Sequence, residues 1–148
     1  MQDNKITEVH VGDIIRATYY KFDGTVDENG LFLVYSLDNY WVKNFSGFSA
    51  IKLCTKPEIY QVKLLQKQFP YLDHDSYINC NCTQRLSIDQ VNSILGMVDG
   101  KVLYCVGKQL DNLNKDIQTQ LKNKMFYYNT IIRQFQNSNS YSNSNDNE

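Results

Sequence analysis

Between Val11 and Phe22 the chain reads VGDIIRATYYKF, whose β-branched and aromatic residues predict a strand opened by Gly12 and Asp13. DGTVDENG then reads as a turn rich in glycine and acid, and LFLVYSLD, residues 31–38, as a buried strand with a continuous apolar run that pairs back as a hairpin. After the polar-aromatic loop DNYWVKNFSG, the alternation in FSAIKLCT predicts a third strand and IYQVKLL a fourth, with Pro57 marking the break between them. QKQFPYLDHDS, with Pro70 and clustered acids, is a long irregular loop leading to a strand over SYINCNCTQRL. Ser87 followed by Gln90 is a capping-box pattern, so SIDQVNSI is predicted as a short helix ended by Gly96, with MVD as a brief last strand.

Beyond Gly107 the pattern changes. No Pro or Gly follows, and Val106, Leu110, Leu113, Ile117, Leu121, Met125, Tyr128, Ile132 and Phe135 recur at steps of three and four. A single amphipathic helix over residues 100–135 is predicted, about 45 Å long over some ~30 residues at ~1.5 Å each, whereas a domain of this size is only about 30 Å across. Its distal half therefore calls for a partner, with Leu113, Ile117, Leu121, Tyr128 and Ile132 as the partner-facing stripe. The alternative is a helix that bends back or frays after Gln120. QNSNSYSNSNDNE has too little apolar surface to fold and is expected to be a disordered tail over 136–148. The predicted organisation is a loose terminus over 1–8, a small β-barrel over 9–99, the helix, and the tail.

Composition narrows the class. With 148 residues, 42% of them hydrophobic, one domain with a real core is expected. Neither a leading basic-apolar segment nor an apolar run near ~18 residues occurs, so the expectation is a cytoplasmic protein without a membrane span. The cytosol keeps thiols reduced, and the C-x-C pair Cys80/Cys82 lacks the two-to-four-residue, repeated spacing of zinc modules. Its residues read instead as strand neighbours pointing inward, and Cys54 and Cys105 as core residues; no metal and no cofactor are implied. A formal net charge of −1 supplies no global attraction for nucleic acid, so local patches must carry any such role. The abundance of Asn, Tyr, Lys and Ile suggests an AT-rich genome, such as that of a low-GC Gram-positive bacterium, its phages or a mobile element.

The ordered pieces VGDIIRA, FLVYS, AIKLCT, YINCNCTQRL, SIDQVNSILGMV and GKVLYCVGKQL, spread over about two-thirds of the chain, resemble the MazF/PemK toxin family. The resemblance implies an SH3-like antiparallel barrel, a homodimer, and metal-independent cleavage of single-stranded RNA by attack of the ribose 2′-hydroxyl. That chemistry requires a base for the hydroxyl, an acid for the leaving oxygen and a cation or donor for the charge on the phosphorane. The family places an Arg, commonly followed by Pro, just before the second strand; this chain has Asn29 and Gly30 there. The expectation is thus a divergent relative that binds a host enzyme, a repressor or an antitoxin with its nuclease chemistry degraded. The alternative is a toxin-type endoribonuclease.

Four residues are candidates for the chemistry. Thr55 matches the polar residue ending the family's third strand, Arg85 lies near an Arg found after the late strand, and Arg16 is an unusual cation inside an apolar strand. His74, between Asp73 and Asp75, is the candidate proton carrier, since a neighbouring carboxylate would hold its ring. Each has a plain counterpart: a solvated loop histidine, an Arg85–Asp89 surface pair, and structural roles for Arg16 and Thr55. Lys43, Lys52, Lys56 and Lys63, interleaved with Phe45, Phe48 and Tyr60, form a candidate single-strand nucleic-acid surface, or simply a solvated strand face.

Overall fold

The computed structural model describes residues 5–37 and 47–146, with side chains as far as 137. Lys43 and Phe45, proposed above as nucleic-acid contacts, lie outside the described residues. The chain divides into two units, residues 1–113 and residues 114–148.

In the first unit six strands form one antiparallel sheet: β1 (Asp13–Tyr20), β2 (Val26–Ser36), β3 (Gly47–Cys54), β4 (Gln61–Leu64), β5 (Ser76–Ser87) and β6 (Val91–Met97). Their order is β4-β5-β3-β2-β1-β6, so β4 and β6 are edges and the ladder does not close on itself as a barrel strictly would. Mainly β architecture with a long C-terminal helix is otherwise as the sequence predicts. The β1–β2 turn follows from local chemistry: Gly24 takes the left-handed φ of 86°, and the Asp23 carboxylate accepts hydrogen bonds from the Thr25 N–H (2.9 Å) and hydroxyl (2.6 Å).

Alternation divides the buried residues between the two sheet faces. Ile15, Ala17, Phe32, Val34, Phe48, Ala50 and Leu86 build one core with Val9 and Val91. Ile14, Leu33, Ile51, Leu53, Leu64 and Ile78 build the other, covered by Leu72, Val98 and Val106. Both faces are buried, which is why β2 reads as a continuous apolar run rather than an alternating one. β5 runs along β3 from the Cys54/Tyr77 pair to the Gly47/Ser87 pair with a register shift between Ile51 and Leu53, and its first residues, Ser76–Asn79, also pair with β4 on their other side. Cys80 donates its N–H to the Tyr60 carbonyl at 2.9 Å.

The segment after β5 corrects the expectation of a helix over SIDQVNSI. Only one 3-10 turn forms, Ile88–Gln90, and β6 follows at once. The Gln90 side chain accepts from the Ser87 N–H at 2.9 Å, as a capping residue would. Its Nε2, however, donates to the Thr18 carbonyl of β1 at 3.0 Å, which directs the chain onto the β1 edge. Pairing there, Asp13 with Met97 through Ala17 with Val91, satisfies backbone groups of β1 that a helix would leave to solvent.

Helix α1, Gly100–Asp146, is capped by Asp99, whose carboxylate accepts the Val102 N–H at 2.9 Å. In the first unit its Val106 is fully buried, and Val102, Leu103 and Leu110 are partly buried against the second core. The helix extends beyond the expected end at 135, because Ser and Asn are only mildly unfavourable helix residues and no Pro or Gly interrupts the run. In the second unit every described side chain is exposed. Among the described residues no helix is long and apolar enough to cross a membrane.

Candidate active site

Three of the four chemical candidates share one cleft. Arg16 on β1, Thr55 just past β3, and His74 in the loop before β5 line a cavity of about 190 Å³ with Asn29, Lys52, Asp73 and Ser76. Arg16 pairs across β1–β2 with Leu31, on the face carrying Ile14 and Leu33. It lies at the margin of the second core, where a long side chain can bury its stem and keep its head wet. The guanidinium is held at two points: Nη1 donates to the Asn29 carbonyl at 3.3 Å, and Nη2 meets the Asp73 carboxylate at 3.2 Å.

The loop carrying Asp73 and His74 is fixed from below. Leu72 is buried, the Gln66 amide donates to the Leu72 and Asp73 carbonyls at 3.0 and 3.1 Å, and the Gln66 N–H donates to the Asp75 carboxylate at 2.8 Å. Both carboxylates flanking His74 are thereby engaged elsewhere, which corrects the expectation that one of them holds its ring. The ring Nδ1 instead lies 3.1 Å from the Asp75 carbonyl and 3.5 Å from the Ser76 hydroxyl. A carbonyl only accepts, so this contact selects the tautomer with its proton on Nδ1 and leaves the lone pair on Nε2.

Lys52 sits where this cleft meets a second one. Its Nζ donates to the Leu53 carbonyl at 2.8 Å and lies 5.7 and 5.6 Å from the ring centroids of Tyr19 and Phe32, a range in which the ring faces stabilise a cation. The second cleft, about 580 Å³, is lined by Tyr19, Tyr20, Phe22, Lys52, Asn81 and Gln84 among others. Tyr20 and Phe22 are exposed aromatics that the sequence reading passed over. Their signal was the cluster Tyr19, Tyr20, Phe22 at the end of β1, where alternation buries the first and turns its neighbour outward. Conversely, Phe48, expected as a stacking residue, is in the core, and Tyr60 is half-buried.

The remaining candidates lie apart. Arg85 is exposed on β5 opposite Ser49 and does not line the cleft. Lys56 is exposed in the turn after β3. Lys63 on β4 rests over the Tyr77 ring, 5.7 Å from its centroid. Cys80 and Cys82 part company: burial pushes the Cys80 thiol up to about 11, while Cys82 faces the second cleft. Cys82 is raised by its own burial and then by Cys54 and Glu58 nearby. Neither thiol is poised to ionise as a ligand or nucleophile. Cys105, expected in the core, is exposed on α1. Of the stripe residues, Leu113 is half-buried in the first unit, whereas Ile117, Leu121, Tyr128 and Ile132 are exposed in the second.

Asn29 and Gly30, expected just before the second strand, lie inside β2. A Cβ at Gly30 would drive into the Tyr19 ring, so that position carries no side chain, while Asn29 lines the cleft and meets Arg16 through its carbonyl.

No family model matches the sequence and no curated protein does. Among solved structures, an endoribonuclease from a mycobacterial species is similar over 72% of this chain and 91% of its own, with 17% identity and a TM-score of 0.53. The Mycobacterium tuberculosis toxin MazF-mt6 is similar over 68% of this chain and 93% of its own, at 14% identity and a TM-score of 0.49. A mycobacterial endoribonuclease in complex with its cognate antitoxin is similar over 69% and 88%, at 18% identity and a TM-score of 0.48. An open six-stranded antiparallel sheet followed by a C-terminal helix is thus a fold shared with the mycobacterial endoribonuclease.

Proposed function

We propose that the protein is a metal-independent endoribonuclease that cuts single-stranded RNA, with the phosphate bound at the Arg16 cleft. One observation carries the reading. The Arg16 guanidinium, reaching from β1, contacts the backbone of Asn29, the residue standing where the resemblance places the family's Arg. In this reading a cation from the neighbouring strand stands in for one on β2.

In this reading Arg16, with Lys52, meets the negative charge that grows on the phosphorane, and the Thr55 hydroxyl offers a further donor. His74 Nε2 takes the proton of the ribose 2′-hydroxyl as its oxygen attacks phosphorus. The P–O5′ bond breaks, the 5′-oxygen takes its proton from solvent water at the open cleft, and the other product ends in a 2′,3′-cyclic phosphate. Asp73 occupies Arg16 until RNA displaces it; its carboxylate is largely exposed, so the pair costs little to break. Tyr20 and Phe22 offer ring faces to the flanking bases.

The test is incubation of the purified protein with mixed-sequence RNA in EDTA. Discrete cuts with cyclic-phosphate ends are expected, slowed at least about 100-fold by Arg16→Ala and unchanged by Arg85→Ala. Uniformly intact RNA retires the nuclease. In that event a second reading takes its place, a protein that binds a host enzyme, a repressor or an antitoxin with its chemistry degraded. The apolar side chains exposed along the second unit favour it.

A further inference from the structure

Ile117, Leu121, Tyr128, Ile131 and Phe135 leave 41% to 65% of their surface exposed on the second unit of α1. With Lys124 they define one seam. From residue 117 the steps along it are 4, 3, 4, 3 and 4, the spacing of alternating d and a positions in a heptad repeat. That series reads identically from either end. Its chemistry is symmetric as well: large apolar residues at both ends and a Lys–Tyr pair in the middle.

We infer that this seam pairs with the same seam of a second copy, the two helices running antiparallel about a two-fold axis near Phe126. In that arrangement each a position faces a d position. Ile117 meets the partner's Phe135, Leu121 meets the partner's Ile131, and Lys124 lies on the ring of the partner's Tyr128, each contact made twice as an isologous interface requires. A parallel pair in register would instead set Lys124 against its own copy, two like charges inside an apolar seam, so the central Lys selects the antiparallel form.

Flanking residues permit the pairing. Gln118, Met125 and Ile132 lie on one side of the seam, Gln120, Tyr127 and Gln134 on the other, and none is charged. The other charges between 114 and 137, Lys115, Asp116, Lys122 and Arg133, fall at heptad positions b, c and f, away from the seam. An acidic protein partner would find no flanking cations to pair with, and the basic ridge of Lys115, Lys122 and Arg133 faces away from whatever covers the apolar side. Five large apolar side chains on each helix, at on the order of 100 Å² apiece, bring the buried total to about the 1,000 Å² that a specific association needs.

The experiment is mass determination in solution on the full chain, with orientation read by cross-linking. Wild type is expected to be a dimer, and Leu121→Asp and Ile131→Asp monomers whose sheet still unfolds at the wild-type temperature. With Cys105→Ser as background, a short bis-maleimide should join Ile117→Cys to Phe135→Cys when the two variants are mixed, and neither to itself. A wild-type monomer at every concentration tested overturns the proposal, as does a dimer that survives both Asp substitutions. Self-linking of Ile117→Cys overturns the antiparallel arrangement. None of these outcomes depends on RNA cleavage.

Discussion

The two units of this chain use hydrophobic residues in opposite ways. In the first, period-two alternation sorts Ile14 from Ile15 and Phe32 from Leu33 onto opposite faces of the sheet, and all four are fully buried. In the second, side chains of the same kind at helical spacing, such as Leu121 and Phe135, stay exposed. Burial is thus a property of the first unit, whereas the distal helix leaves its apolar side chains exposed. The sheet also holds the polar groups of the cleft in place, because Arg16 and Thr55 are anchored by strands whose other positions are core.

The sharpest test of this contrast is a pair of truncations. Phe32→Ala, at a fully buried site in edge-to-face contact with Tyr19, should lower unfolding stability by about 3–5 kcal/mol in a denaturant titration. Phe135→Ala should move the sheet's transition by less than about 0.5 kcal/mol. Equal losses would mean the helix is packed against something within the chain.

Within the sheet, a second comparison separates residues that hold it together from those that only use it. Arg16→Ala should slow RNA cleavage by roughly 100- to 1,000-fold while leaving the denaturant midpoint almost unchanged, since its partner Asp73 is largely exposed. A parallel fall in stability would reassign Arg16 to structure.

Cys80 offers a smaller effect with a defined pH window. Its folded thiol is raised from 9.0 to about 11 by burial, so the unfolded chain ionises first. Stability is fully present below pH ~9 and declines as pH rises toward ~11, by about 3 kcal/mol in all. Unfolding followed between those values should show Cys80→Val losing less than wild type. Identical pH profiles would place the thiol in contact with water. Smallest of all, Gly24→Ala should cost about 1 kcal/mol in thermal unfolding: its φ of 86° disfavours any side chain although space is open around it.

Much of the sheet was legible because alternation is a local signal. The β1–β2 hairpin, β3, the loop at 66–75 and the start of the long helix all follow from it, and Arg16 stood out as a cation inside an apolar strand. The segment 87–97 was misread for a physical reason. A capping box states what Gln90 can do for Ser87, but not that its amide will reach Thr18, 72 residues away. The cleft was half legible. Residue type singled out Arg16 and His74, and the resemblance Thr55, yet their convergence goes with the Arg16–Asp73 contact across 57 residues. Lys52, by contrast, gained its place between two clefts from β3 pairing that leaves it over the rings of Tyr19 and Phe32.

The decisive measurement is cleavage of single-stranded RNA in chelator by wild type, by Arg16→Ala and by Arg16→Ala carrying Asn29→Arg, which places a cation on β2 instead. Cuts by wild type, their loss in the single variant and at least partial recovery in the double variant are the predicted result. RNA left whole by wild type, or cut equally well without Arg16, contradicts it.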